Sequence, residues 1–299
     1  ILLTGIGVKN NKIEGNRIGR CDEVIKEIWQ DNGIHIANGA SYNIIGNKTG
    51  ETGNYISGNK TNEIFIEGEG SVHNSIWGNY IKYKYNTFDS NPVNAILLQN
   101  GADYTQIGNE ENNQGKNTIE GYRQRAIIIS GDQPTNHVNI SNNYFLNNKI
   151  AITVFDGKNH KIYDNDFEKN ETAFFTDSGG DKGNNTFSYN NIVGWGRIFF
   201  GLSDSNKIHN NWFETSHSLS SPIYTTMLTL FNSSNNEVYE NNFHNCFTAI
   251  DIDGAMPCGN NLIRDNKIKN GGIGIIVKSD RYNNEAINTE NLIKNNVLS

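Results

Sequence analysis

His160-Lys161-Ile162-Tyr163-Asp164-Asn165-Asp166-Phe167 carries the pattern on which the chain turns: an apolar residue, two others, Asn, one other, and a second apolar residue. Ile162, Asn165 and Phe167 fill it here. It returns downstream as Ile208, Asn211, Phe213, then Val238, Asn241, Phe243, then Ile263, Asn266, Ile268, and last as Ile293, Asn296, Leu298. Upstream it reads Ile13, Asn16, Ile18, and again Ile76, Asn79, Ile81, with further copies centred on Asn143 and Asn190. The phrase is too short for a helix, and its apolar positions do not keep a 3.6-residue period. It reads as two short strands meeting at a bend. Asn suits that bend because it tolerates left-handed backbone and its amide bonds nearby backbone groups.

A unit returning about every 20 to 50 residues marks a solenoid. Stacked as parallel strands about 4.8 Å apart, the coils bring their Asn amides into a ladder, each donating to the next. A third strand precedes each phrase, as in Gly33-Ile34-His35-Ile36, Ala126 to Ile129, Ala151 to Phe155 and Ala249 to Ile252. Most begin on a small residue and continue apolar, as strands of a buried parallel stack do. The expected fold is therefore all-β: a single-stranded right-handed parallel β-helix of about eleven coils, three short strands to a coil, with an Asn ladder.

With these phrases in view, the chain resembles the parallel β-helix repeat superfamily, the pectin-lyase-like right-handed helices. Asn32-Gly33-Ile34-His35-Ile36, Asn43-Ile44-Ile45-Gly46 and Gly53-Asn54-Tyr55-Ile56-Ser57-Gly58-Asn59 are similar to repeats of large bacterial and archaeal surface proteins. The resemblance implies the fold and leaves the function open, because this fold hosts lyases, hydrolases, epimerases, phage tailspikes and non-enzymatic surface proteins.

The continuous repeat predicts one domain over residues 1–299, and its start and stop within the repeat suggest a segment of a longer chain or assembly. Hydrophobic residues make up 35% of the chain and the mean hydropathy is -0.60, enough for the narrow core of a solenoid. A net charge of -7 argues against nucleic acid or an anionic membrane as partner. No apolar run is long enough to span a bilayer. The three cysteines, Cys21, Cys246 and Cys258, have no CxxC spacing and are expected to be unpaired. Val24, Ile25, Ile28 and Trp29 predict a short helix over residues 21–31, and Tyr80 to Tyr85 and Gln106 to Lys116 read as loops.

Enzymes of the superfamily place their acids and bases on the outer face of the third strand, which the alternation of strand side chains assigns here to His35, Glu67, Thr153, Asp177, Asp251 and Asp253 among others. The carboxylate candidates are Asp177, Asp251 and Asp253, with Asp156, Asp204 and a cation from Lys278 or Arg281 nearby. Such a set suits a general acid and base or a calcium ion; equally, Asp closes strands and opens turns. None of the short motifs of polygalacturonase-like hydrolases, mannuronan epimerases or pectate lyases is present. No His spacing suggests a metal, so no cofactor is expected, and calcium enters only with the enzyme reading. Phe65, Phe155, Phe175, Phe199 and Phe231 form an outward apolar stripe, with Leu97 and Ile128 between them, that calls for a covering protein surface or a glycan.

The reading that follows is an extracellular or cell-surface β-helix acting as a non-catalytic structural stalk, adhesion or assembly module, with protein neighbours over its ends and its apolar face. The alternative is a polysaccharide lyase or glycoside hydrolase, such as a tailspike-like depolymerase, or a carbohydrate-binding module without turnover.

Overall fold

A computed structural model of the chain describes residues 1–19, 30–84, 93–109, 114–176, 182–215, 226–254, 258–278 and 290–299. Three sheets of eleven strands each run along the rod. The first spans Leu2–Thr4 to Ile273–Val277, the second Lys12–Ile13 to Leu292–Lys294, and the third Arg17–Ile18 to Val297–Leu298. Every strand pairs in parallel with its counterpart one coil away, as Lys161–Tyr163 does with Thr186–Ser188. The crossovers are right-handed, the hand that a twisted strand imposes on parallel connections.

The two apolar positions of the phrase become two columns of the core. Ile162 lies between Ile140 and Phe187 in the second sheet, and Phe167 between Phe145 and Ile192 in the third. All are buried. A third column, including Ile34, Ile64, Ile96, Ile127 and Ile152, comes from the first sheet. Side chains on these columns touch the same position one coil away, so rings stack on rings: Phe145 on Phe167 at 4.8 Å and Phe213 on Phe243 at 4.6 Å.

The ladder is complete. Each Asn from Asn16 to Asn266 gives its side-chain amide to the next coil's Oδ1, as in Asn211 to Asn241 at 2.9 Å and Asn241 to Asn266 at 3.0 Å. Two rungs, Asn54 and Asn117, belong to coils whose phrase is split by an insertion, after Ile45 and after Ile107. That corrects the loop boundaries: Gln106–Ile107 is a strand, and Tyr80–Lys82 is a strand of the third sheet. A second correction concerns the bend. The left-handed residue is the one before the ladder Asn: Asp164, Asn210, Glu240 and Asp265 have φ between 53° and 56°. The Asn itself is selected by its inward amide hydrogen bonds and not by its φ.

A second ladder precedes the second-sheet strand, running Asn185, Asn206, Asn236, Asn261 and Asn291. His160 takes the place of Asn there, its Nδ1 accepting from Val138 N at 3.2 Å. Cys246 and Cys258 are buried and free. Cys21, and the helix expected over residues 21–31 apart from Gln30 and Asp31, lie outside the described residues; those two lead directly into Asn32–Ala37.

Candidate functional site

The outward residues of the first sheet form two columns. One runs from His35 and Phe65 through Leu97 and Ile128 to Thr153, Phe175, Phe199, Thr229 and Asp251. The other holds Glu67, Gln99 and Ser130 at one end and Phe231 and Asp253 at the other. Phe155 joins the second column, since it follows Val154, the partner of Ile129. The apolar stripe is thus divided between two columns.

It is also less exposed than the alternation alone suggests. Phe175 stacks on Phe199 at 5.2 Å and Phe199 on Phe231 at 5.8 Å, while the Arg125 guanidinium lies 5.0 Å from the centre of the Phe155 ring. His35 stacks on Phe65 at 4.8 Å and reaches Glu67 Oε1 at 2.9 Å. Each of the five phenylalanines is half-buried: a ring one coil away covers Phe65, Phe175, Phe199 and Phe231, and the Arg125 guanidinium covers Phe155. Thr153, assigned outward, is fully buried between Ile128 and Phe175, whose larger side chains flank it.

Asp251 is likewise buried, at 6% exposure, one column step from Thr229. Lys278 bonds its Oδ2 and lies 3.3 Å from Asp253 Oδ2. Burial works against the Lys278 ammonium, but the two carboxylates outweigh it and hold the amine above the usual lysine range. Asp253 Oδ1 also accepts from Gly254 N at 2.8 Å. The face therefore carries a closed acid–lysine–acid triad. Asp156 and Asp204 stand elsewhere, as turn residues: Asp156 Oδ1 accepts from Gly157 N at 2.7 Å and Asp204 Oδ1 from Ser234 N at 2.6 Å. Asp177 and Arg281 lie outside the described residues. Among the described residues, no group of three or more His, Cys, Asp or Glu is arranged to hold a metal ion, and no helix is long and apolar enough to cross a membrane.

Two features escaped the repeat reading. Glu63 points into the core at the position that Gly33 and Ala95 fill in the adjoining coils. Burial pushes its carboxyl up to about 8, against hydrogen bonds from Asn59 and from Gly58 N. The other is a run of cations, Arg123, Lys149 and Lys169, at the turn between the third and first sheets. Aligning the coils on Tyr122, Asn148 and Asn170 would have placed Arg123 beside Lys149, with Lys169 just ahead of Asn170; no local motif marks them.

A family model described as "right handed beta helix region" matches residues 72–219. With the three sheets and the ladder, this shows the fold of the chain to be a right-handed parallel β-helix. Among solved structures, the Dettilon tailspike protein gp208 is similar over all of this chain and 62% of its own, with a TM-score of 0.50 and 13% identity. The chain thus spans less than two thirds of the tailspike's length. DFA-IIIase from Arthrobacter chlorophenolicus A6, in complex with GF2, is covered over 84% of its length at a TM-score of 0.42 and 12% identity. At these identities the likeness is one of fold. No curated protein sequence matches the chain.

Proposed function

We propose that this chain is a non-catalytic β-helix module, extracellular or at a cell surface, that serves as a structural stalk, adhesion or assembly element. The observation that carries this reading is the unbroken ladder from Asn16 to Asn296, which bonds every coil to the next at the bend while three sheets bond it elsewhere. A rod held together by nearest-neighbour contacts spreads load over all its coils and lengthens by repetition. The acid–lysine–acid triad supports the same reading, since its ammonium is engaged by both carboxylates. Protein neighbours are expected over the half-buried Phe175, Phe199 and Phe231 rings.

The test is a panel of acidic and neutral polysaccharides incubated with the protein and assayed for new reducing ends and for unsaturated sugars. Neither should form. Turnover of any one glycan that disappears in Asp251→Asn would overturn the reading in favour of a depolymerase.

A further inference from the structure

The turn from the first sheet into the second carries a ring at one fixed position in four successive coils: Tyr42, His73, Tyr104 and His137. They stand two residues before Ile44, Ser75, Gln106 and Asn139, which share one register position of the second sheet. Each donates its backbone N–H, at 3.1 to 3.2 Å, to the carbonyl just before the same position one coil on. The rings therefore stack: Tyr42 on His73 at 4.8 Å, His73 on Tyr104 at 4.9 Å and Tyr104 on His137 at 4.9 Å, all within 15° of parallel. Tyr42, His73 and Tyr104 are exposed and His137 is half-buried. Among the described residues, none of the four side chains makes a hydrogen bond or an ion pair.

All four residues have φ between 55° and 57°, in the left-handed region. In the coils that follow, the same position holds Asn159, Asn184, Ser205, Asn235 and Asn260. Asn suits that backbone, whereas a bulky tyrosine there is an outlier. Stacking explains the ring faces but not the edges, where two phenol O–H groups and two imidazoles meet solvent without partners. The surroundings are uncharged on the second-sheet side, with Ile44, Ser75, Gln106 and Asn139. On the other side Gly39 and Gly70 pack so closely that a Cβ on Gly70 would lie 3.3 Å from Gly39 Cα. Asp103, next to Tyr104, is turned away, its Oδ1 accepting from Asn136 N at 2.7 Å. Aromatic rings in a strip poor in charge are the composition of an interface core.

The order of the rings points to the occupant. Along the rod they read Tyr, His, Tyr, His, at equal spacing. A two-fold axis across the rod brings up a second copy with the order reversed, so that every Tyr meets a His. Tyr42 then faces His137 of the second copy, and His73 faces its Tyr104. In each pair the phenol O–H donates to the imidazole nitrogen that carries no proton. Such an interface is isologous and closes at two copies. We propose that two copies of this chain pair side by side and antiparallel through the Tyr42, His73, Tyr104 and His137 ladder. The strip is narrow, so the dimer belongs to the small, transient class of interface. The pairing does not depend on the stalk reading, because a catalytic rod would pair in the same way and the glycan panel decides that question separately.

The experiment is sedimentation equilibrium of the whole chain at neutral pH, from about 1 µM to about 1 mM. A monomer–dimer equilibrium is expected, with nothing larger. Tyr42→Ala/Tyr104→Ala removes every Tyr–His pair and should leave only monomer. Tyr104→His/His137→Tyr keeps the composition but reads Tyr, His, His, Tyr, which sets like against like; the dimer should weaken at least about tenfold. Exchanging all four residues restores the alternation and should restore the dimer. Circular dichroism and melting temperature report whether each variant is folded. Small-angle scattering of the unaltered chain tests the geometry without any variant. The ladder occupies the second to fifth of eleven coils, so an antiparallel pair centred on it spans roughly 70 Å, against roughly 105 Å end to end, at about 4.8 Å per coil. A monomer at every concentration, an end-to-end length, a dimer indifferent to the alanine or the half-exchanged variant, or a folded, fully exchanged variant that stays monomeric would overturn the proposal.

Discussion

Asn165 donates from both its backbone N–H and its side-chain Nδ2 to a single oxygen, Oδ1 of Asn190, at 3.0 Å in each case. The same amide also reaches Ile140 O on the preceding coil at 2.8 Å. One side chain thus ties three successive coils. Because the rungs from Asn54 to Asn266 are buried away from water, a missing one leaves the donors of the coil before it without an acceptor.

Asn241→Ala removes the acceptor for Asn211 N and Nδ2 and the donor to Asn266. It should destabilise the chain by about 1 to 3 kcal/mol. Asn242→Ala, the neighbouring residue on the outer face of Asn242–His244, should cost less than about 0.5 kcal/mol. Urea titrations of the two variants give the comparison, and equal midpoint shifts would contradict the ladder's role.

The pH dependence of stability should have a plateau. Glu63 is pushed up from 4.5 to about 8, so between those values the unfolded chain has released a proton that the folded chain keeps, and stability falls as pH rises. Burial pulls His160 down from 6.5 to about 3, so between those values the unfolded chain holds a proton that the folded chain lacks, and stability falls as pH drops. The two effects cancel between 4.5 and 6.5. Above 6.5 the Glu63 effect acts alone, at about 1.4 kcal/mol per pH unit up to about 8. Glu63→Gln should abolish that decline and unmask an acid-side decline beginning near 6.5; His160→Asn should do the reverse, with the fall beginning near 4.5. Denaturation at a series of pH values checks both.

Lys278→Met leaves the buried Asp251 beside Asp253 without their shared cation. A loss of about 2 to 4 kcal/mol is expected at neutral pH, largely recovered by adding Asp251→Asn, which removes the stranded charge. A double-mutant cycle by thermal unfolding measures this coupling. Additive losses would show that Lys278 does not serve to neutralise Asp251.

Where insertions leave the second sheet, at Gly46 and Gly108, the backbone has φ of +96° and +83°, and a Cβ would fall 1.8 Å from the carbonyl oxygens of Trp77 and Ser141. Ala at either position has to move the next coil's backbone, and a loss above about 3 kcal/mol is expected. Gly15 also has positive φ, at +69°, yet has open space around its Cβ position, so Gly15→Ala should cost only about 1 kcal/mol. Melting temperatures of the three variants should follow that order.

The sequence by itself determined the coil. The spacing of Ile162, Asn165 and Phe167, repeated along the chain, specifies two strands, a bend and a buried amide, because each coil meets only its own kind and local pattern becomes tertiary contact directly. The rungs at Asn54 and Asn117 were hidden because insertions part them from Ile45 and Ile107, and only the stacking of neighbouring coils brings them back into register. Alternation gave the direction of Asp251 and Thr153, but not their burial, which depends on the size of side chains one coil away and on Lys278 reaching back. The gathering of Arg123, Lys149 and Lys169 also belongs to the tertiary structure. Residues twenty or more positions apart become neighbours only when the coils stack, since loop lengths, free to vary from coil to coil, set which surface residues align.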